Sequence, residues 1–318
     1  MDERGGTGRK VVVVGAGHVG SVFCYALAQS GAAEEIVLVD ANAGLAQGQA
    51  LDLAHGQPFF PTVSIRAGDA SDYADADVIV VTAGAAQKPG ETRLQLLQKN
   101  AAIMAAIVGD ITAQKAAGVL LVVSNPVDVL TRVALERSGW ARGRVIGSGT
   151  VLDSARFRTL LSRHCGVDVH NVHAYMLGEH GDSEFAAWSM THVAGMPMEQ
   201  YCPLCKGCVD WDAERKRVEQ EVRDSAYHII GYKGSTYFGV GMALVRIVKA
   251  LLRGENSVLT VSTRLDGEFG LSGVCLSVPC IVGRRGVVRI LESELAARER
   301  EALAASADVL QRAWSQLG

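Results

Sequence analysis

Short apolar runs, mostly β-branched, recur through the first half of the chain between polar stretches long enough for helices. VVVV at 11–14 is the first, and EEIVLVD (34–40), DVIVVTAG (77–84), GVLLVVSNP (118–126) and RVIGSG (144–149) repeat it. Apolar runs without alternation suit strands covered on both faces. Between them, segments such as LLQKNAAIMAAIVGDITAQKA (96–116) place apolar residues at helical spacing. Strand–helix alternation of this kind predicts an α/β fold with a parallel, doubly wound sheet. Residues 1–148 are expected to form that unit, and 149–318 an α+β substrate domain.

The first strand turns through Gly15-Ala16-Gly17-His18-Val19-Gly20 into a helix, and the second strand ends at Asp40, 20 residues after Gly20. Gly15 permits the tight turn, Gly17 lets the backbone approach a pyrophosphate, and Gly20 allows close helix–strand packing. The helix N-terminus offers free N–H groups and partial positive charge to phosphates. Asp40 can accept from both adenine-ribose hydroxyls and would repel a 2′-phosphate, which favours NAD over NADP. Strand, turn, helix, second strand and acid together give a Rossmann dinucleotide site rather than a merely structural turn. Ligands on such sheets sit at the carboxyl ends of the strands. Three polar stretches fall there: the loop opening at Ala83 and Gly84, Asn125-Pro126, and GSGTVLD. Val19, Ala83, Gly84 and Asn125 join the glycines and Asp40 as expected cofactor contacts.

Bulk properties narrow the classes. The 318 residues are 48% hydrophobic, with a mean hydropathy of +0.17, as in a compact protein with a large core. A net charge of −3 and a pI near 6.3 give no electrostatic footprint for nucleic acid. No apolar stretch reaches the roughly 18 residues of a membrane helix. MDERGGTGRK lacks the apolar region of a signal peptide, so a cytoplasmic location is expected, with the seven cysteines reduced.

The second half carries candidate chemistry. Asp153 and Arg156 are three apart in VLDSARFRTLLSRHCG and share a helix face, with Arg158 on another side. His180 lies in a glycine-flanked turn within VHNVHAYMLGEHGDSE. A histidine with an acid partner suits proton transfer near neutral pH, and an arginine fork matches a carboxylate. Each signal alone also fits a surface histidine or a helix ion pair.

GAGHVG, QKPGETR, SNPVD, GTVLDSARFR, GEHGDSE and KGSTYFG occur in that order. On these motifs the chain, from about Lys10 to its C-terminal helix, resembles the NAD-dependent L-lactate/malate dehydrogenase family, nearest its bacterial L-lactate members. The resemblance implies that His180 exchanges the proton of the substrate oxygen and that Asp153 orients its ring. Arg156 would grip the substrate carboxylate, and Arg93 would polarise the ketone when the 84–93 loop closes. Asn125 would donate a further hydrogen bond, and Thr236 would line the far side of the pocket. The L configuration, and a homotetramer or dimer, also follow from resemblance alone.

Within the family, malate enzymes face the second carboxylate of oxaloacetate with an arginine, because an unpaired buried charge costs several kcal/mol. This chain has Gln87 there, followed by Lys88, which reads as solvated. A neutral amide suits the methyl of pyruvate, so lactate is favoured and malate is the alternative. Arg158 and His173 match positions that bind fructose 1,6-bisphosphate in some bacterial members, although ordinary surface cations fit equally well. Cys202, Cys205 and Cys208 have metal-like spacing but lack the second pair of a zinc ribbon, so no metal is expected. Two remoter readings are an NAD-dependent glycosidase, which needs a metal held by cysteine and histidine, and a non-enzymatic NAD-binding protein, which needs none of His180, Asp153, Arg93 and Arg156.

Overall fold

A computed structural model describes residues 9–86, 90, 92–205 and 210–317. Six strands run parallel: β1 (Lys10–Val14), β2 (Glu35–Val39), β3 (Ser64–Ala67), β4 (Val78–Val81), β5 (Val119–Val122) and β6 (Val145–Gly147). Their spatial order is β3-β2-β1-β4-β5-β6, so the strand order reverses between β1 and β4. The crossovers carry α1 (His18–Ser30), α2 (Ala43–His55), α3 (Arg93–Ala113) and α4 (Val127–Ser138).

The apolar runs explain the layering. Val11 and Val13 face α1 and α2 in one core, with Val78, Val80, Phe23, Leu27 and Ala46. Val12 and Val14 face α3 and α4 in the other, with Ile79, Val81, Met104 and Leu130. Successive residues of a strand point to opposite faces, so a strand sandwiched between two helical layers must be apolar at every position.

The parallel sheet does not end with the first half of the chain. An antiparallel hairpin, β7 (Ser262–Asp266) and β8 (Ser272–Ser277), extends it beyond β6 through a Ser262–Gly147 pair. The hairpin covers an edge whose backbone groups would otherwise lack partners. In the second half stand α5 (Val151–Cys165), α6 (Met198–Cys205), α7 (Trp211–Lys233), α8 (Phe238–Arg253) and α9 (Ala297–Ser315). Phe157 and Leu161 of α5 share a third core with Trp188, Val218 and Val222. Two-residue strands at 176–177 and 185–186 pair antiparallel, and the turn between them carries His180.

The glycine turn is sterically determined. Gly15 has φ +108°, and a Cβ on it would lie 2.6 Å from the Ala83 nitrogen. A Cβ on Gly20 would lie 1.9 Å from the Gly15 carbonyl oxygen, whereas one on Gly17 would meet nothing within 4 Å. Gly20→Ala must therefore push helix from turn, at a cost of about 1–3 kcal/mol, and should lower the unfolding midpoint by several degrees. Gly17→Ala should hold its midpoint and instead weaken NADH binding, because its methyl occupies the open side. Thermal scans and a fluorescence titration of NADH on both variants check the pair.

Candidate active site

The carboxyl ends of β1, β2 and β4 open onto a groove of about 670 Å³ lined by Gly15, Gly17, Asp40, Ala83 and Gly84, with Ile103 and Ile107 as an apolar wall. Asp40 is oriented by its own loop: its Oδ2 accepts from Ala16 N–H at 2.7 Å and its Oδ1 from Asn42 N–H at 2.8 Å. Val19, in the first turn of α1, packs against the core below. Thr82 donates to the Gly15 carbonyl at 2.9 Å, tying the β4 end to the glycine turn. These groups offer backbone N–H donors for phosphates, an acid for ribose and an apolar slot for a ring.

Asn125 is exposed just beyond β5, and the peptide bond between it and Pro126 is cis. Sequence reasoning missed the residue that fixes this end. Buried Asn100 donates to the Asn125 carbonyl at 2.9 Å and accepts from Ala85 N–H at 2.8 Å. It thus clamps the start of the 84–93 loop to the Asn125 segment. Its signal in the sequence is a lone asparagine in helical register with the apolar Leu97, Met104 and Val108.

Asp153 lies in the first turn of α5 with its side chain 2% exposed. Its Oδ1 accepts from Arg156 Nη1 at 2.7 Å, and its Oδ2 lies 2.7 Å from His180 Nδ1. A carboxylate only accepts, so the ring donates through Nδ1 and leaves Nε2 for a ligand. The turn bearing His180 is held from three sides. Gly178 exchanges backbone hydrogen bonds with Ser277 of β8 at 2.9 and 2.8 Å. Glu179 N–H donates to Ser306 Oγ of α9 at 2.7 Å, and His180 N–H donates to Asp128 Oδ2 of α4 at 2.8 Å.

Charge follows from these placements. Burial works against charging His180, but the adjacent Asp153 carboxylate outweighs it and holds the imidazole up at about 9. Burial would likewise raise Asp153, yet His180 and Arg156 bring it below the usual carboxylate range. Asp128, at the base of the turn, is pushed up to about 6 by burial against the Ser262 hydroxyl and His180 N–H. Glu184, 4% exposed, is pushed up to about 9 by burial and by Asp153. Asp153, His180 and Glu184 bring donor atoms within 4.8 Å of one another, near enough to share a metal ion. The Arg156 guanidinium already seated on Asp153 opposes a second cation there.

Arg93 is the first residue of α3 and is exposed. Its charge bears on Tyr227 of α7, whose hydroxyl donates to Asp182 at 2.6 Å. Thr236 is half-buried on the connection from α7 to α8. Gln87 and Lys88 lie outside the described residues, as does Cys208, while Cys202 is buried in α6. Arg158 and His173 are well apart in the sequence but line one cavity of about 460 Å³ together with Arg246. Arg158 donates there to the Val172 carbonyl at 2.8 Å and the Val169 carbonyl at 3.2 Å.

A dinucleotide groove beside an acid–histidine–arginine cluster defines a nicotinamide-dependent dehydrogenase. Family models agree: the lactate/malate dehydrogenase NAD-binding domain matches residues 9–147, and the alpha/beta C-terminal domain of the same enzymes matches 150–317. The chain belongs to the lactate/malate dehydrogenase family, and its nucleotide is NAD. An L-lactate dehydrogenase of Treponema denticola is 60% identical, with 100% of each chain covered. One from a Thermoanaerobacter species is 49% identical over 97% of this chain and 99% of the relative. Among solved structures, a lactate dehydrogenase from a Medee basin deep-sea metagenome library superposes with a TM-score of 0.95 at 43% identity, covering 97% of this chain and 98% of that one. A ligand-bound minor L-lactate dehydrogenase of Enterococcus mundtii gives 0.95 at 41% identity, covering 98% and 99%.

The raised imidazole has a measurable sign. Its stabilising contribution is complete below the ordinary histidine value of about 6.5 and is lost as pH rises through about 9. The His180 ring resonance of the apoprotein should therefore titrate near 9, and Asp153→Asn should return it toward the ordinary value. NMR titration of both proteins checks this; equal midpoints would remove Asp153 as the cause.

Proposed function

We propose that the chain is an L-lactate dehydrogenase, converting pyruvate, NADH and a proton to L-lactate and NAD, and the reverse. The observation that carries this reading is the buried Asp153 paired with half-buried His180, with Arg156 beside it, within one fold with the NAD groove. The relatives at 45–60% identity bearing the L-lactate dehydrogenase name support it. When bound, the reduced nicotinamide supplies the hydride.

The chain's own groups supply the rest. Charged His180 gives its Nε2 proton to the substrate oxygen as that oxygen becomes an alkoxide, and takes it back from the hydroxyl in reverse. Asp153 keeps Nδ1 protonated and stabilises the imidazolium. Arg156 uses one guanidinium N–H on Asp153 and has others for the substrate carboxylate, a planar match no lysine makes. Arg93 polarises the ketone from the closing loop, Asn125 adds a donor, and Thr236 lines the pocket wall. Gln87 selects a methyl over a second carboxylate.

Reduction needs the imidazolium and oxidation the neutral ring. For free enzyme, kcat/KM for pyruvate should fall as pH rises through about 9, while that for lactate rises. NADH oxidation should favour pyruvate over oxaloacetate by on the order of 10²-fold, the scale of one unpaired carboxylate. Gln87→Arg should cut that ratio at least about tenfold. Faster turnover of oxaloacetate by the parent protein would transfer the reading to malate.

We further propose a homotetramer in the cytoplasm that binds fructose 1,6-bisphosphate. Exposed Tyr25, Phe238 and Met242 line an apolar groove of about 650 Å³ between α1 and α8, a surface suited to a second copy. The cavity joining Arg158, His173 and Arg246 has the chemistry for a sugar phosphate. No helix of the described residues is long and apolar enough to cross a membrane. The bisphosphate should lower the pyruvate concentration giving half-maximal rate, and Arg158→Gln should abolish that shift. Light scattering reads the mass in parallel.

A further inference from the structure

Glu184 closes the hairpin that carries His180, yet the proton transfer described above leaves it without work. Its side chain is buried, and its Oε2 has no hydrogen-bond partner among the described residues. One oxygen of Glu184, one of Asp153 and a ring nitrogen of His180 all lie within 4.8 Å of one another. The nearby cations are committed elsewhere. From α5, Arg156 donates to Asp153 at 2.7 Å. From α7, Arg223 donates to the backbone carbonyl of Glu184 at 3.3 Å, not to its carboxyl, and pairs loosely with Glu219 at 3.9 Å.

Two carboxylates this close in a water-poor space do not both stay ionised. Asp153 has a cation on each oxygen, so it keeps the charge. Resting on the reading of His180 and Asp153 as the proton-transfer pair, we propose that Glu184 is a positioning residue: a carboxyl that stays protonated through turnover and so adds no further anion beside the His180 ring to Asp153 and to the Asp128 carboxyl that accepts from the His180 backbone N–H. It neither gives nor takes the proton of the reaction. If it were ionised, a second negative charge beside the imidazole would hold the proton that must reach the ketone oxygen. Its neutrality therefore sets how readily His180 lets go. Burial and Asp153 push Glu184 up to about 9, opposed by His180, Arg156 and Arg223. His180 lies in the same range, so the two titrate as a coupled pair at the alkaline edge of activity.

The test uses apoprotein labelled with carboxyl-¹³C glutamate, so that Asp128 and Asp153 are silent. Infrared spectra should show a protonated glutamic carboxyl band at neutral pH that fades as pH passes about 9 and is lost in Glu184→Gln. In steady state, the alkaline fall of kcat/KM for pyruvate should contain two ionisations in the parent protein and one in Glu184→Gln. Absence of the band at neutral pH, or an identical alkaline limb in both proteins, overturns the proposal. Should the variant fail to fold, the parent titration still decides, because an ionised Glu184 gives no band to lose. Failure to turn over pyruvate would sink the lactate reading instead and leave the infrared result standing.

Discussion

An ionised carboxylate that is 2% exposed is costly unless it is paired and hydrogen-bonded. Asp153 meets that condition with Arg156 on one oxygen and His180 on the other, and much of the second half of the chain exists to keep His180 there. Arg156 comes cheaply, three residues along the same helix. His180 comes from a separate hairpin. It is fixed by Ser277 on the sheet extension, Asp128 on α4 and Ser306 on α9. Ser306 is fully buried and also lies 3.0 Å from Ser183 in the same turn. The last helix of the chain thus belongs to the site although it presents no group to a substrate. Glu299, on the same helix, accepts from Ser189 N–H at 2.9 Å and from its hydroxyl, fixing the 3-10 turn that follows the hairpin.

The nucleotide side depends on a different constraint. Parallel strands need crossover helices, so every strand of the first half ends at the same edge. That edge collects the glycine turn after β1, Asp40 after β2, Ala83 and Gly84 after β4 and Asn125 after β5. Asn100 then welds the last two together across a gap the sheet leaves open. The segment after β4 is thus held at Ala85 by a buried amide, and α3 begins at the Thr92–Gln95 capping box.

The sequence made the nucleotide half legible because its determinants are local. Four valines, a glycine turn and an acid at the end of the next strand each constrain the backbone within a few residues of themselves. Asp153 and Arg156 were legible for the same reason. What stayed hidden was every contact made across long separations by residues of ordinary type. Ser306 and Ser277 are two serines among many, and their roles appear only when α9 and β8 are folded onto the hairpin. The antiparallel extension of the sheet was equally opaque, since STRLD and SGVCLS carry no signal of which edge they will join. Arg158 and His173 could be matched by resemblance, but Arg246 in their cavity could not.

Asp153 and Glu184 show how local sequence decides which of two buried acids is charged. Both sit in the same water-poor space, and burial raises both. The difference is what the chain places beside them. Asp153 occupies a helix, where a residue three positions on lies on the same face, and that residue is an arginine. Glu184 stands just before the two-residue strand Phe185–Ala186, and Phe185, Ala186, Ala187 and Trp188 pass into the core and offer no cation. Arg223 reaches the backbone of Glu184 but not its side chain. One acid is therefore an anion fit to steady an imidazolium, and its neighbour is a neutral spacer, although their side chains differ by a single methylene. An arginine within reach of Glu184 would pair with its carboxyl and ionise it, as Arg156 does for Asp153, and the neutral spacer would be lost.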